Sequence, residues 1–350
     1  MIPVFDGHND VLLRLWSDPL NRHALWLGNT GKGQLDLPRM RRGGFAGGFF
    51  AIYVPSPDTG NSEALMRMMN APPFSAPLPQ PVPMGLAQQV ALAMAGHLMW
   101  MERQGGLTLC RTASEIRAAM AADRIAAVMH MEGAEAIDPD LDALHLWHQL
   151  GLRSLGPVWS RPTIFGNGVP FAYPSSPDIG DGLTAAGHAL IRECNQLKIM
   201  VDLSHLNEKG FDDVAAISTA PLVATHSNAH AITPASRNLT DRQLTQIAES
   251  DGMVGLNYAV PFLRPDGLRG SDCGWDPILR HLDHMLSILG EDRLGLGSDF
   301  DGAVIPDVLG DVAGLPGLLQ AMRDHGFGAA LVEKIASRNW LAVLERTWGQ

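Results

Sequence analysis

Cysteine and charge are both scarce in this 350-residue chain. The three cysteines, Cys110, Cys194 and Cys273, are widely spaced. They match neither a disulfide framework nor a zinc–thiolate spacing, so they read as reduced structural thiols, and any metal has to be held by His, Asp and Glu. Charged residues make up only 18% of the chain, so much of the surface is neutral or covered by a partner, and a homodimer is expected. The net charge of -11, with no Lys/Arg-rich run, argues against a nucleic-acid partner. No stretch of about 18 uninterrupted apolar residues occurs, which excludes a membrane-spanning helix. The N-terminus shows no charged segment followed by an apolar one, so no cleaved leader and a cytoplasmic location are expected.

What the chain does have is apolar residues, 46% of the total, arranged in eight short runs. These are Ile2–Phe5, Gly48–Val54, Ile125–Met131, Arg153–Val158, Ile199–Leu203, Leu222–Thr225, Met253–Tyr258 and Arg293–Gly297. Between most of them lie segments of helical spacing: Gly85–Gln104, Ala113–Ala122, Leu141–Leu150, Ala185–Leu197, Asp241–Glu249, Asp276–Leu289 and Leu331–Trp348. Strands alternating with helices predict parallel βαβ units. Eight such units over this length predict a single (β/α)8 TIM barrel spanning residues 1–350. A doubly wound open sheet is the alternative. Two irregular stretches, a Pro-rich one near 70–84 and a Pro/Gly/Ser-rich one near 160–182, read as long loop insertions.

A barrel enzyme carries its chemistry at the C-terminal ends of its strands. The first run leads into His8 and Asp10, the third into Glu132, the fifth into His205, the sixth into His226 and the eighth into Asp299. His8 and Asp10 are two apart, which on an extended backbone points both side chains to one side. Imidazole and carboxylate suit zinc or a similar divalent ion. Each residue alone could be a satisfied core or turn residue; five strand ends of this type together predict a metal site. Three histidines and two carboxylates satisfy two ions if one carboxylate bridges, and Glu132 is the natural bridge. Two metals ~3.5–4 Å apart activate a shared water and polarise a carbonyl. Asp299 is then left to carry a proton.

The segments Asp6-Gly7-His8-Asn9-Asp10, Met131-Glu132-Gly133, Asp202-Leu203-Ser204-His205, Thr225-His226-Ser227-Asn228-Ala229, Ser236-Arg237-Asn238 and Gly297-Ser298-Asp299-Phe300-Asp301-Gly302 resemble, in order, the motifs of the membrane (renal) dipeptidase family, metallopeptidase family M19. The resemblance implies an amidohydrolase-like metal-dependent hydrolase barrel holding two zinc ions and cleaving dipeptides, including those with a C-terminal D-residue. It also implies that His8 and Asp10 bind one zinc, that His205 and His226 bind the other and that Glu132 bridges. Arg237 would pair with the substrate's free carboxylate, as a planar guanidinium does bidentately. Asp299 would be the proton shuttle. The absence of a leader and anchor tail resembles the soluble bacterial-type members.

One position departs from the family. Its mammalian members carry a histidine after the fourth strand, where this chain has Trp159. Indole donates one hydrogen bond but carries no proton. Arg161, His130 and His230 are the candidates to replace that function, and Trp159, His230 and Tyr258 join Arg237 as expected substrate-binding residues. The expected activity is a dinuclear zinc dipeptidase acting on small dipeptides, including L-Xaa-D-Xaa. The alternative is hydrolysis of another small carboxylated amide, such as an N-acyl amino acid, lactam or cyclic amide; a metal-bound scaffold without activity is the third reading.

Overall fold

The structure, a computed structural model, describes residues 1–28, 30–57, 60 and 62–349. Eight parallel strands form the barrel: β1 (Val4–Asn9), β2 (Phe45–Tyr53), β3 (Ile125–Glu132), β4 (Leu152–Gly156), β5 (Met200–Val201), β6 (Val223–Ala224), β7 (Met253–Asn257) and β8 (Leu294–Gly297). They pair in ring order from β5 through β4, β3, β2, β1, β8 and β7 to β6. The ring closes between β5 and β6 through a single parallel bridge, Asp202 to Val223, with Leu203 N–H donating to the Val223 carbonyl at 2.8 Å. These are the eight runs read in the sequence, and the barrel rather than the open sheet is what they build.

β5 and β6 are shorter than their apolar runs for a local reason. The Asp202 carboxylate accepts the backbone N–H groups of Ser204 at 3.0 Å and Thr225 at 2.8 Å. A side chain thus replaces ladder bonds where both strands turn towards the site, satisfying buried backbone donors.

Phe5, Phe49, Val128, Met200, Val223 and Met253, one or more from most strands, pack with Trp340 in a distinct apolar cluster. Trp340 comes from the last helix, Asn339–Trp348, and its indole N–H donates to the Leu296 carbonyl of β8 at 3.0 Å. Glycine makes the room: a Cβ on Gly295 would lie 2.6 Å from the Trp340 indole nitrogen, and one on Gly7 would lie 2.6 Å from the same ring. A second, larger cluster lies between the strands and the outer helices.

Several helices start and stop as their caps dictate. Thr184 and Thr240 accept the backbone N–H groups of Gly187 and Gln243, opening Ala185–Leu197 and Asp241–Glu249, both at the expected residues. The expected Leu331–Trp348 helix is instead an α-turn at Ala329–Glu333, a π-helical segment at Lys334–Arg338, then Asn339–Trp348. Unexpected helices occur at Val11–Ser17, Leu37–Gly43, Glu208–Ile217 and Leu315–Asp324. The two irregular stretches meet: Phe74 pairs with Tyr173 and Ser75 with Ala172 in a two-stranded antiparallel ribbon. Among the described residues no helix is long and apolar enough to cross a membrane.

Candidate active site

The C-terminal strand ends converge. His8 lies within β1, and Asp10 immediately precedes helix Val11–Ser17. His8 Nε2 lies 3.2 Å from Asp10 Oδ2. Glu132, the last residue of β3, presents its two oxygens in different directions. Its Oε1 lies 3.0 Å from His205 Nε2 and 3.3 Å from His226 Nε2, while its Oε2 lies 3.6 Å from His8 Nε2. His205 and His226 bring their Nε2 atoms to 3.2 Å of each other. All five side chains are buried.

The surroundings fix which nitrogen is offered. The Thr225 hydroxyl donates to Asp202 Oδ2 at 2.6 Å and therefore accepts from His226 Nδ1–H at 2.8 Å. The Ser160 hydroxyl lies 2.8 Å from His205 Nδ1. Burial pushes the pKa of both histidines well below the usual value, so both rings are neutral. Two neutral imidazoles protonated on Nδ1 then aim Nε2 lone pairs at each other and at a carboxylate oxygen. That arrangement is repulsive unless an electrophile lies between the atoms, and a divalent cation meets the requirement. His8 differs: burial opposes its charge, but Glu132 and Asp10 outweigh it and push its pKa up to about 10. Two groups, His8–Glu132–His226 and His8–Asp10–Asp299, each bring their ligand atoms within 4.8 Å of one another. The residues therefore fit a divalent metal centre.

Two of the site residues have left-handed backbones. His205 and Asp299 adopt φ values of +69° and +60°, a conformation non-glycine residues take at a cost of about 1–3 kcal/mol and keep chiefly at functional sites. Asp299 Oδ2 accepts from the Asn257 amide at 3.0 Å. Burial, reinforced by the neighbouring Asp10, raises the Asp299 pKa above the usual carboxylate range. A buried carboxyl beside metal-ligand groups and with a raised pKa can accept and return a proton.

Above these groups opens a cavity of about 190 Å³. That is below the roughly 300–1,000 Å³ of drug-sized ligand sites, so it suits a small molecule. Asp10, Glu132, His205 and Asp299 reach it, and Tyr53, Trp159, Phe171 and Phe262 form an aromatic wall. Trp159 stands 5.1 Å from Tyr53 and 5.5 Å from Phe171, centroid to centroid.

Not every expected residue lies on this cavity. Arg237 is buried beside it, donating to Ser227 Oγ at 2.9 Å and to the His226 carbonyl at 2.8 Å. Its Nε has no partner, and burial lowers its pKa to about 10 against the pull of Asp299, Asp202 and Glu132. Tyr258 is fully buried, its ring 5.7 Å from Phe300. Strand alternation gives the site-facing place at the end of β7 to Asn257, so Tyr258 points away. His230 holds a loop, its Nε2 2.8 Å from the Ser175 carbonyl. Of the candidates to stand in for a strand-four histidine, none lines the cavity. Arg161 is locked to Glu135, and His130 lies edge-on to His8 at 5.6 Å with its pKa pushed down to about 3 by burial. The sequence reading missed Tyr53, Phe171, Phe262, Ser160 and Thr225. Tyr53, ending β2, and Thr225, ending the sixth apolar run, stood at positions that strand-end reasoning could have found.

The family model described as Membrane dipeptidase (Peptidase family M19) matches residues 1–348. A metallo peptidase from Rhodobacter sphaeroides, solved with a phosphinate mimic of the dipeptide L-Ala-D-Ala, is 64% identical and superposes with a TM-score of 0.97 over 99% of both chains. Among curated proteins, Dipeptidase ataJ of Aspergillus terreus is 30% identical over 99% of this chain and 84% of its own length. A protein of Klebsiella pneumoniae described as uncharacterized, in the pqqA 5' region, is 49% identical over 70% of this chain and 91% of its own. With its barrel, its converging strand ends and a match over nearly its whole length, this chain belongs to the membrane dipeptidase family, peptidase family M19.

Proposed function

We propose that the chain is a dinuclear zinc dipeptidase hydrolysing the peptide bond of small dipeptides, L-Xaa-D-Xaa among them. The observation that carries this reading is the split of Glu132. One oxygen faces the His205–His226 pair at 3.0 and 3.3 Å and the other faces His8 at 3.6 Å, beside Asp10. A carboxylate so placed would suit two ions, of which His8 and Asp10 would hold one and His205 and His226 the other. The dipeptide-mimic-bound relative from Rhodobacter sphaeroides supports the substrate class.

Two zinc ions, when bound, supply Lewis acidity and an activated water. The chain's own residues do the rest. Arg237, tied to Ser227 and the His226 carbonyl, lies buried beside the cavity with its Nε–H unpartnered; a substrate carboxylate that passes beyond the cavity lining pairs with that donor, which limits the enzyme to one residue beyond the scissile bond. Asn257 ties down Asp299 Oδ2, and Oδ1 takes the proton of the attacking water and delivers it to the leaving amine. The aromatic wall of Tyr53, Trp159 and Phe171 excludes water and bounds the substrate side chains. Trp159 brings no proton of its own, so proton transfer rests on Asp299.

The test is amine release from L-Ala-D-Ala and L-Ala-L-Ala by zinc-loaded and chelator-stripped protein. Zinc-dependent cleavage supports the reading, and the ratio of the two rates gives the stereochemical preference. No cleavage of either by protein carrying two zinc ions would overturn it in favour of another small carboxylated amide. Homodimerisation, read from the low charge content, is checked by light scattering.

A further inference from the structure

Arg269 lies on the loop between helices Val260–Leu263 and Asp276–Leu289 and contributes to the wall of the active-site cavity. Among the described residues lining that cavity it carries the only guanidinium. Its Nε is buried without a hydrogen-bond partner, no ion pair to it occurs among the described residues, and burial lowers its pKa. The same loop has acids to offer but commits them elsewhere: Asp266 and Asp272 pair with Arg264 at 2.9 and 3.1 Å. Burying the Arg269 Nε–H without an acceptor is costly, because its lost hydration is not replaced. The three cavity carboxylates, Asp10, Glu132 and Asp299, lie in the metal-ligand cluster or beside it, and Arg269 pairs with none of them. Arg269 therefore lines the substrate space with its buried Nε–H unpaired, while the terminal carboxylate of a dipeptide is assigned to Arg237 in the reading above.

We propose that Arg269 is a specificity-determining residue that recognises a second carboxylate, so that this enzyme favours dipeptides bearing an acidic side chain. This inference rests on the dipeptidase reading above. A bound side-chain carboxylate restores the missing counter-ion by charge-assisted hydrogen bonds, and a neutral amide of the same shape does so only weakly.

The experiment compares isosteric pairs, L-Ala-D-Glu with L-Ala-D-Gln and L-Glu-D-Ala with L-Gln-D-Ala, by kcat/KM in the zinc-loaded enzyme. At least one pair is expected to favour the acid by about tenfold or more, and Arg269→Gln to bring that ratio down to about one. Because the ratio is internal to each variant, a general loss of stability does not imitate the effect. No acid preference in the wild-type enzyme, or a preference that survives Arg269→Gln, overturns the proposal. If no dipeptide is cleaved, the dipeptidase reading fails by itself. Calorimetric binding of N-acetylglutamate against N-acetylglutamine, with wild type and Arg269→Gln, then decides Arg269 separately: equal affinities in the wild type refute it, and an acid preference lost in the variant supports it.

Discussion

Replacing Arg161 by methionine tests whether the aromatic wall stands on a buried ion pair. Arg161 is fully buried. It donates through Nε and Nη2 to Glu135 Oε1 at 2.9 and 2.6 Å, through Nη1 to Ser56 Oγ at 2.8 Å and through Nη2 to the Val54 carbonyl at 2.8 Å. Its guanidinium also lies 5.5 Å from the Trp159 ring centroid and 6.0 Å from that of Tyr53. Methionine keeps most of the volume and removes every donor, leaving Glu135 as an uncompensated buried carboxylate. Breaking a buried pair this way costs about 3–5 kcal/mol.

The pH dependence follows from Glu135. Burial already raises its pKa above the usual value, against the opposing pull of Arg161. Removing Arg161 raises it further. A carboxyl whose folded pKa exceeds its unfolded one holds its proton longer in the native state, so stability falls as pH rises between the two values. The Arg161→Met penalty is therefore expected to be smallest near pH 4–5 and to grow towards pH 8. Urea unfolding of wild type, Arg161→Met and Arg161→Met/Glu135→Leu at both pH values measures it, with the double variant recovering most of the loss. A single-variant cost below about 1 kcal/mol, or one that is the same at both pH values, would refute the reasoning.

Other outcomes follow from the site. Asp299→Asn is expected to lower kcat by about 10²–10⁴-fold while two zinc ions stay bound, read by turnover together with metal analysis; near-normal turnover removes Asp299 from the proton path. Thr225→Val deletes the hydroxyl that links Asp202 to His226 Nδ1 and is expected to weaken metal affinity about 10–100-fold in a chelator competition titration. Stripping the metal leaves the closely facing donor atoms unscreened. Apo protein should therefore melt lower than protein with zinc at 1,000 times its Kd, a difference of about 4 kcal/mol, and equal melting would exclude a metal at this cluster. Gly295→Ala places a Cβ 2.3 Å from Met253 Cε and 2.6 Å from the Trp340 indole nitrogen, an overpacking expected to cost about 1–3 kcal/mol by denaturant unfolding with little change in KM.

How much of this was legible depended on whether a residue's role is set by its own strand or by distant chain. The eight strands were readable because a barrel strand buries both faces and so appears as a continuous apolar run. The convergence of His8, Asp10, Glu132, His205, His226 and Asp299 was readable because a barrel delivers strand ends to one rim, turning position along the sequence into position in space. The helix Val11–Ser17 was missed because seven residues are too few to display a helical period, and Glu208–Ile217 because Gly210, Asp212 and Asp213 interrupt its apolar residues. Tyr258 shows the limit of strand-end reasoning: one step along a strand exchanges the site face for the core face, and Asn257 took the inward place.

The loop residues that line the cavity were the least legible, and the reason is physical. Trp159, Phe171 and Arg269 lie on the 160–182 and 264–275 loops or beside them, where neither a two-residue nor a 3.6-residue period constrains the side chains. Their directions come from contacts distant in sequence: Trp159 leans on Tyr53, Phe171 on Phe262 with ring centroids 6.0 Å apart, and the first loop is pinned to residues 74–75 by the antiparallel ribbon. A loop can change such contacts without disturbing the barrel or the strand-end cluster. On the proposed reading, the strands hold the chemistry and the loops the selectivity. On that reading, the side chain at position 159 shapes the cavity wall without touching the Glu132 geometry. Trp159→His is accordingly expected to shift the relative kcat/KM of different dipeptides without lowering bound zinc, and loss of metal in that variant would show that wall and metal centre are one unit.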